Sequence, residues 1–250
     1  SHDAIDFMFG GDTAHVGAQY SYLTSVLSIL TNIEYGFDQA RELFDVIYDH
    51  WTELPEETRP KLYIHGLSQG ALNSQGTLPF FDILGDVPQG ALWVGSPFIS
   101  PIWSYVRTRR NPDSPAWLPT FGNGSLVRVT TQEDVLDRTQ APWGPMRMVF
   151  MHYASDPLVV FDWSILWRRP DWLGDDRPPD VAPEMRWYPI VTGLQLGLDM
   201  MHPLSFEGHG HFYIARDYID AWAALTDPPG WSPARADALR ALFDTRPAPW

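Results

Sequence analysis

The chain has 250 residues and a mass of 28.5 kDa, with 17 Lys and Arg against 31 Asp and Glu, a formal net charge of −14. That balance excludes nucleic acid as a partner and disfavours docking through a basic patch on anionic lipid, since both need clustered Lys and Arg. Cysteine is absent, which removes disulfides, thiolate zinc sites and a Cys nucleophile, while 44% hydrophobic residues are enough for a sizeable core.

In chain order, residues 4–9 read as the end of a short helix stopped by Gly10-Gly11, and His15 to Tyr22 as a strand. Phe37, Ala40, Leu43, Phe44, Ile47, Tyr48 and Trp51 then recur at the spacing of one helix face, so a helix is expected from Glu34 to Trp51. Lys61–His65 is a short apolar run of the kind that forms a buried strand, and helix is expected again from Ala71. Further strands are expected at Ala91–Gly95, Met146–Tyr153 and Met185–Val191, with a short β piece near Leu126–Thr130. Helices return at Tyr213–Leu225 and Pro233–Phe243. Strands alternating with helices predict βαβ units and a mostly parallel sheet.

Two segments, Ser100–Pro145 and Asp162–Pro183, are rich in Pro, Gly and Trp and read as excursions from the sheet rather than linkers. A single domain over residues 1–250 is the simplest organisation. Eight of the 12 Trp residues lie between positions 90 and 190. They suit a packed core or an apolar cleft equally well. No run approaches the 18 apolar residues that mark a membrane span, nor is there a signal peptide, so this chain is expected to be soluble.

The chemistry begins at Gly66-Leu67-Ser68-Gln69-Gly70, a G-x-S-x-G pattern between a predicted strand and a predicted helix. In that setting the turn is sharp and strained, and it lifts the Ser68 hydroxyl above the sheet as a nucleophile. The glycines allow strand and helix to approach closely, and the Gln69 N–H becomes an oxyanion donor. A serine nucleophile needs a base and an orienting carboxylate. Asp156 lies just after the strand that ends at Tyr153, at the carboxyl edge where such groups collect. The competing reading for Asp156 is a turn residue before Pro157, and Asp162 is a rival acid farther on. For the base, Gly208-His209-Gly210-His211 offers His211, which directly precedes a helix, with His209 as the alternative. Read as a metal site, this His-x-His pair has no third ligand at a supporting spacing, although His152 and His202 exist, so neither metal nor cofactor is expected.

These residues resemble the α/β-hydrolase superfamily and, more narrowly, a bacterial group of membrane-anchored α/β-hydrolase-like proteins. The resemblance runs over nearly the whole chain. It is carried by Gln19-Tyr20-Ser21-Tyr22-Leu23, Lys61-Leu62-Tyr63, the Ser68 turn, Gly90–Gly95, Ala141–Pro145, Ser155-Asp156-Pro157, Arg169–Leu173, Met185-Arg186-Trp187 and Gly208–His211. Leu67 departs from it, standing where that group has an acidic residue. The resemblance implies an α/β-hydrolase-like, mostly parallel sheet with helices on both faces and Trp/Pro-rich insertions. It also implies that the first strands of that fold, the loop with the second oxyanion donor and several transmembrane helices lie upstream, in a missing N-terminal region. On that reading the chain is the catalytic, C-terminal part of a longer membrane-associated protein, the domain is extracytoplasmic, and it can associate with a missing N-terminal fragment.

The activity expected from these residues is hydrolysis of carboxylic esters by Ser68, His211 and Asp156. The Trp-rich excursions and the implied anchor favour an acyl-chain or lipid ester as substrate. An acyltransferase working through the same acyl-enzyme, and a non-catalytic binding domain on a hydrolase scaffold, are the alternatives.

Overall fold

The computed structural model describes residues 2–19, 25–132, 136, 141–202, 204 and 206–245. Its centre is a four-stranded, all-parallel sheet: β1 (Tyr63–Leu67), β2 (Gly90–Val94), β3 (Val127–Thr130) and β4 (Arg147–Met151), in the spatial order β1-β2-β4-β3. The strands are short apolar runs because both faces of the sheet are covered. Every residue of β2 is buried.

Side-chain alternation along the strands divides the core in two. Leu92, Val94, Val149 and Met151 point to one face, under α1 (His2–Phe9), α7 (Tyr218–Thr226) and α8 (Pro233–Thr245). Ala91, Trp93, Met148 and Phe150 point to the other, under α3 (Gln69–Thr77) and α4 (Pro101–Thr108), with Phe44 and Tyr48 of α2 (Ser25–Glu53) at its margin. Trp93 and Trp103 are wholly enclosed and pack at a tilt against Phe150, with ring centroids 5.2 and 5.4 Å away. A third, smaller core gathers Phe161, Ile165, Trp172, Leu173 and Val181 from the second Pro-rich excursion and closes on Leu196 of α6 (Val191–Met201).

The expected helices and four of the expected strands are present, with shifted ends. The helix expected from Glu34 begins at Ser25, and the one expected from Tyr213 starts at Tyr218, after a 3₁₀ turn at Ala215–Asp217. Two strand expectations fail. Residues 15–19 of the expected His15–Tyr22 strand join no ladder. The Thr13 hydroxyl and His15 Nε2 (2.7 Å) both bond to the Asp6 carboxylate, which folds the segment back on α1. Residues 20–22 of that expectation lie outside the described residues. Met185–Val191 is likewise no strand, because its backbone turns: Pro189 is followed by Ile190 at φ 65°, a conformation that breaks extended pairing. Its apolar side chains Met185 and Trp187 serve the third core instead.

β1 stands at one edge of the described sheet. Beside it, between α2 and α3, lies a cavity of about 250 Å³ lined by Leu43, Phe44, Ile47, Ile64, Asn73 and Thr77. Along it, the apolar side chains of α2 from Phe37 to Tyr48 that face the sheet are half-buried. Among the described residues no helix is long and apolar enough to cross a membrane.

His65 in β1 is held neutral. Desolvation lowers its pKa from 6.5 to about 4, against the pull of the Leu92 carbonyl that accepts from its Nδ1 at 2.9 Å. As pH falls below 6.5 the unfolded chain takes up a proton at this position that the folded chain refuses, so His65 makes stability fall until pH nears 4. Urea unfolding should therefore show the parent losing about 2 kcal/mol more than a His65→Gln variant between pH 6.5 and about 5. Parallel pH dependences for the two proteins would refute this assignment.

Candidate active site

The register puts the last residues of all four strands level: Leu67 pairs Val94, Val94 pairs Met151, and Thr130 pairs Met151. The ladder continues one residue further. Ser68 N–H donates to the Val94 carbonyl (2.9 Å), Gly95 N–H to Met151 (2.9 Å) and His152 N–H to Thr130 (3.0 Å). Ser68 is therefore braced by the sheet at the point where the chain must turn into α3. It does so at φ 55°, ψ −120°, outside the regions that L-residues favour and worth about 1–3 kcal/mol of strain. The turn is closed tightly. A Cβ on Gly66 would sit 2.5 Å from the Gly70 carbonyl and from the Ala71 nitrogen. Gly70 differs from the expectation that both glycines serve close approach, because a Cβ there would meet nothing within 4 Å. Ser68 is half-buried, Leu67 is 45% exposed, and Gln69 is the first residue of α3.

Asp156 is fully enclosed, with 0% exposure. Its Oδ1 accepts the Leu158 N–H (2.9 Å) and caps α5 (Pro157–Val160). Its Oδ2 lies 2.6 Å from His211 Nδ1 and accepts the Tyr213 hydroxyl, also at 2.6 Å. The turn-capping and acid readings of Asp156 are thus compatible, one on each oxygen. Tyr213 is a member that the sequence reading missed. Its spacing of two from His211 is the available signal, since in extended backbone residues two apart share a side. Burial first, and then the Asp156 charge, push the Tyr213 pKa well above 10, so it remains a donor across the working range.

His211 and Tyr213 reach the sheet because Gly95 has no side chain. A Cβ on Gly95, which sits at φ +54°, would lie 2.8 Å from His211 Cε1 and 2.7 Å from a Tyr213 ring carbon. Gly95 follows the residue whose carbonyl holds Ser68 N–H, so the imidazole stands beside the serine turn. His211 Nε2 is buried and, among the described residues, makes no hydrogen bond, to the Ser68 hydroxyl included. In unliganded enzymes such bonds are often open and close only around substrate.

The other candidates lie elsewhere. His209 is exposed, with Nδ1 3.4 Å from the Glu207 carbonyl, while the side-chain hydrogen bonds of Asp156 go to Leu158, His211 and Tyr213. Asp162 caps the 3₁₀ turn Trp163–Leu166 and pairs with Arg107 at 3.4 Å. His152 is buried, donates from Nε2 to the Trp117 carbonyl (2.9 Å), and packs on Trp103 at 4.5 Å. His202, at the end of α6, is exposed. Among the described residues no group of three or more His, Asp or Glu side chains is placed to share a metal ion. Of the Trp-rich excursions, Trp103 and Trp172 are core, whereas Trp163 and Trp167 are 64% and 68% exposed.

A comparison with known families matches residues 1–239 to one described as an alpha/beta-hydrolase family. No curated protein and no solved structure gives a significant match.

The two motif glycines should differ in what they tolerate. Gly66→Ala is expected to cost about 2–3 kcal/mol or more, because backbone atoms must move to admit the methyl. Gly70→Ala is expected to stay within about 1 kcal/mol of the parent. Urea unfolding of both variants checks this, and equal costs at the two positions would contradict it.

Proposed function

The chain belongs to the alpha/beta-hydrolase family, and from that premise we propose that it is a serine hydrolase of carboxylic esters in which Ser68, His211 and Asp156 act together. One observation carries the proposal: the 2.6 Å contact between Asp156 and His211, formed beside the strained Ser68 turn. In the reaction, Ser68 Oγ attacks the ester carbonyl carbon while His211 Nε2 takes its proton. The tetrahedral intermediate collapses, the C–O bond to the alcohol breaks, and His211 returns the proton to the leaving alkoxide. Water then attacks the acyl carbon while the same nitrogen takes its proton, the bond to Ser68 Oγ breaks to release the acid, and His211 returns the proton to Ser68. Asp156, held by its three donors, orients the imidazole through Nδ1 and stabilises its cation. The backbone N–H of Gln69, at the start of α3, is one donor for the oxyanion, a type of contact worth about 10²–10³ in rate.

An acyl-chain or lipid ester is the substrate class we propose. Support comes from α6, whose Val191, Leu194, Leu198 and Met201 are each 60–65% exposed and fall on one side of the helix by their spacing. Phe206, 74% exposed, continues this apolar character into the loop that leads to His211.

Turnover of acetyl, octanoyl and dodecanoyl nitrophenyl esters by the parent and single variants tests the reading. Ser68→Ala and His211→Gln are each expected to lose at least about 10³-fold in kcat, whereas His209→Gln keeps parent activity. The longer acyl chains should give the higher kcat/KM. Unchanged turnover in Ser68→Ala, or a loss that follows His209 instead of His211, would overturn the assignment. Preference for the acetyl ester would overturn the substrate class.

A further inference from the structure

We propose that Ser155 and Asp180 are positioning residues that hold the Asp156–His211 pair in register, through hydrogen bonds linking the second Pro-rich excursion to both loops of the site. The inference rests on the roles proposed above for Asp156 and His211.

Asp180 lies in irregular chain after the 3₁₀ turn Asp171–Leu173. Its Oδ2 accepts the Ser155 N–H (2.9 Å) and the Gln132 side-chain amide (3.1 Å). The Ser155 hydroxyl in turn accepts the Gly210 N–H at 3.0 Å. Ser155 immediately precedes Asp156, and Gly210 immediately precedes His211. The bond between Ser155 and Gly210 is therefore a second rung, running beside the 2.6 Å rung between Asp156 and His211 and joining the same two loops.

A single hydrogen bond leaves the imidazole free to pivot about it, whereas two adjacent rungs fix the direction in which Nε2 points. The base loop needs such a restraint. Gly208 and Gly210 both have positive φ (73° and 58°), and residues 206–214 contain no helix or strand that would stiffen them. Asp180 also has an unusual environment for a residue that only caps a turn. Its Oδ1 is buried without a hydrogen-bond partner among the described residues, so half of the carboxylate is left unsatisfied while the other half holds Ser155. Buried polar atoms without partners are uncommon and concentrate where a structure serves something besides its own stability.

Displacement of a catalytic group by about 1 Å can cost on the order of 10² in rate. The test uses Ser155→Ala, Ser155→Thr, Asp180→Ala and Asp180→Asn, reading kcat and KM on an octanoyl ester and the rate of covalent labelling by a fluorophosphonate probe, with urea stability measured alongside. Ser155→Ala and Asp180→Ala are expected to lower kcat and the labelling rate about 10–100-fold with KM nearly unchanged. Ser155→Thr keeps the hydroxyl and Asp180→Asn keeps a carbonyl acceptor, so both should return to within about threefold of the parent. Folded alanine variants that label and turn over like an active parent would overturn this proposal alone. Alanine variants not rescued by their conservative counterparts would overturn it as well. A parent that neither labels nor turns over would remove the hydrolase reading itself, and this inference with it.

Discussion

A carboxylate with no solvent exposure is tolerable only where donors replace the water it has lost, since an unpaired buried charge costs several kcal/mol. Asp156 is such a group, and its donors come from three places: the backbone at the start of α5, the imidazole of His211 and the phenol of Tyr213. Satisfying this one charge therefore ties the end of β4 to a glycine-rich loop more than 50 residues away in sequence. The tie is reinforced around it. Tyr153 stacks on Tyr213 with ring centroids 4.4 Å apart. The Tyr153 hydroxyl donates to Asp217 (2.6 Å) and accepts the Ile214 N–H (3.1 Å). Removing any one donor leaves the rest of the cluster in place but under-satisfied, the condition in which buried polar networks are most sensitive.

The second constraint is backbone geometry at Ser68. Its strained conformation persists because the sheet holds the residue from one side, through the Val94 carbonyl, and α3 presses on Gly66 from the other. The same ladder places Gly95 one strand away, and the side chain missing there is what lets His211 and Tyr213 lie against the sheet edge. Parallel pairing, two missing Cβ atoms and one buried charge all contribute to bringing Asp156 and His211 together next to the serine turn.

Much of this was readable from residue order. The buried strands were legible because short apolar runs bounded by Gly and Pro have few other uses, and the Ser68 turn because G-x-S-x-G lay between a strand and a helix. Asp156 stands just after a strand, as its place in the sequence suggests, whereas His211 does not directly precede a helix: a 3₁₀ turn at Ala215–Asp217 intervenes and α7 begins at Tyr218. What failed had physical causes. Met185–Val191 looks like a strand by composition, but Pro189 and the positive φ of Ile190 turn the chain, and its side chains fill a separate core. His15–Tyr22 reads as a strand, but the Asp6 carboxylate draws Thr13 and His15 back onto α1. Gly70 fitted the motif without being sterically required. Asp180 carries no local signal at all, because its role depends on where an irregular excursion lands, which no short-range pattern encodes. The Trp residues divided between core and surface according to burial alone.

The excursions after β2 and β4 contribute more than bulk. They supply the third core, the exposed Trp163 and Trp167, and the carboxylate that reaches Ser155. The central claim, that Ser68 is an activated nucleophile served by His211, is tested most directly by incubating the parent and Ser68→Ala with a fluorophosphonate probe and measuring intact mass. The expected result is one phosphonyl adduct on the parent and none on the variant. A parent that stays unmodified, or equal labelling of both proteins, would contradict it.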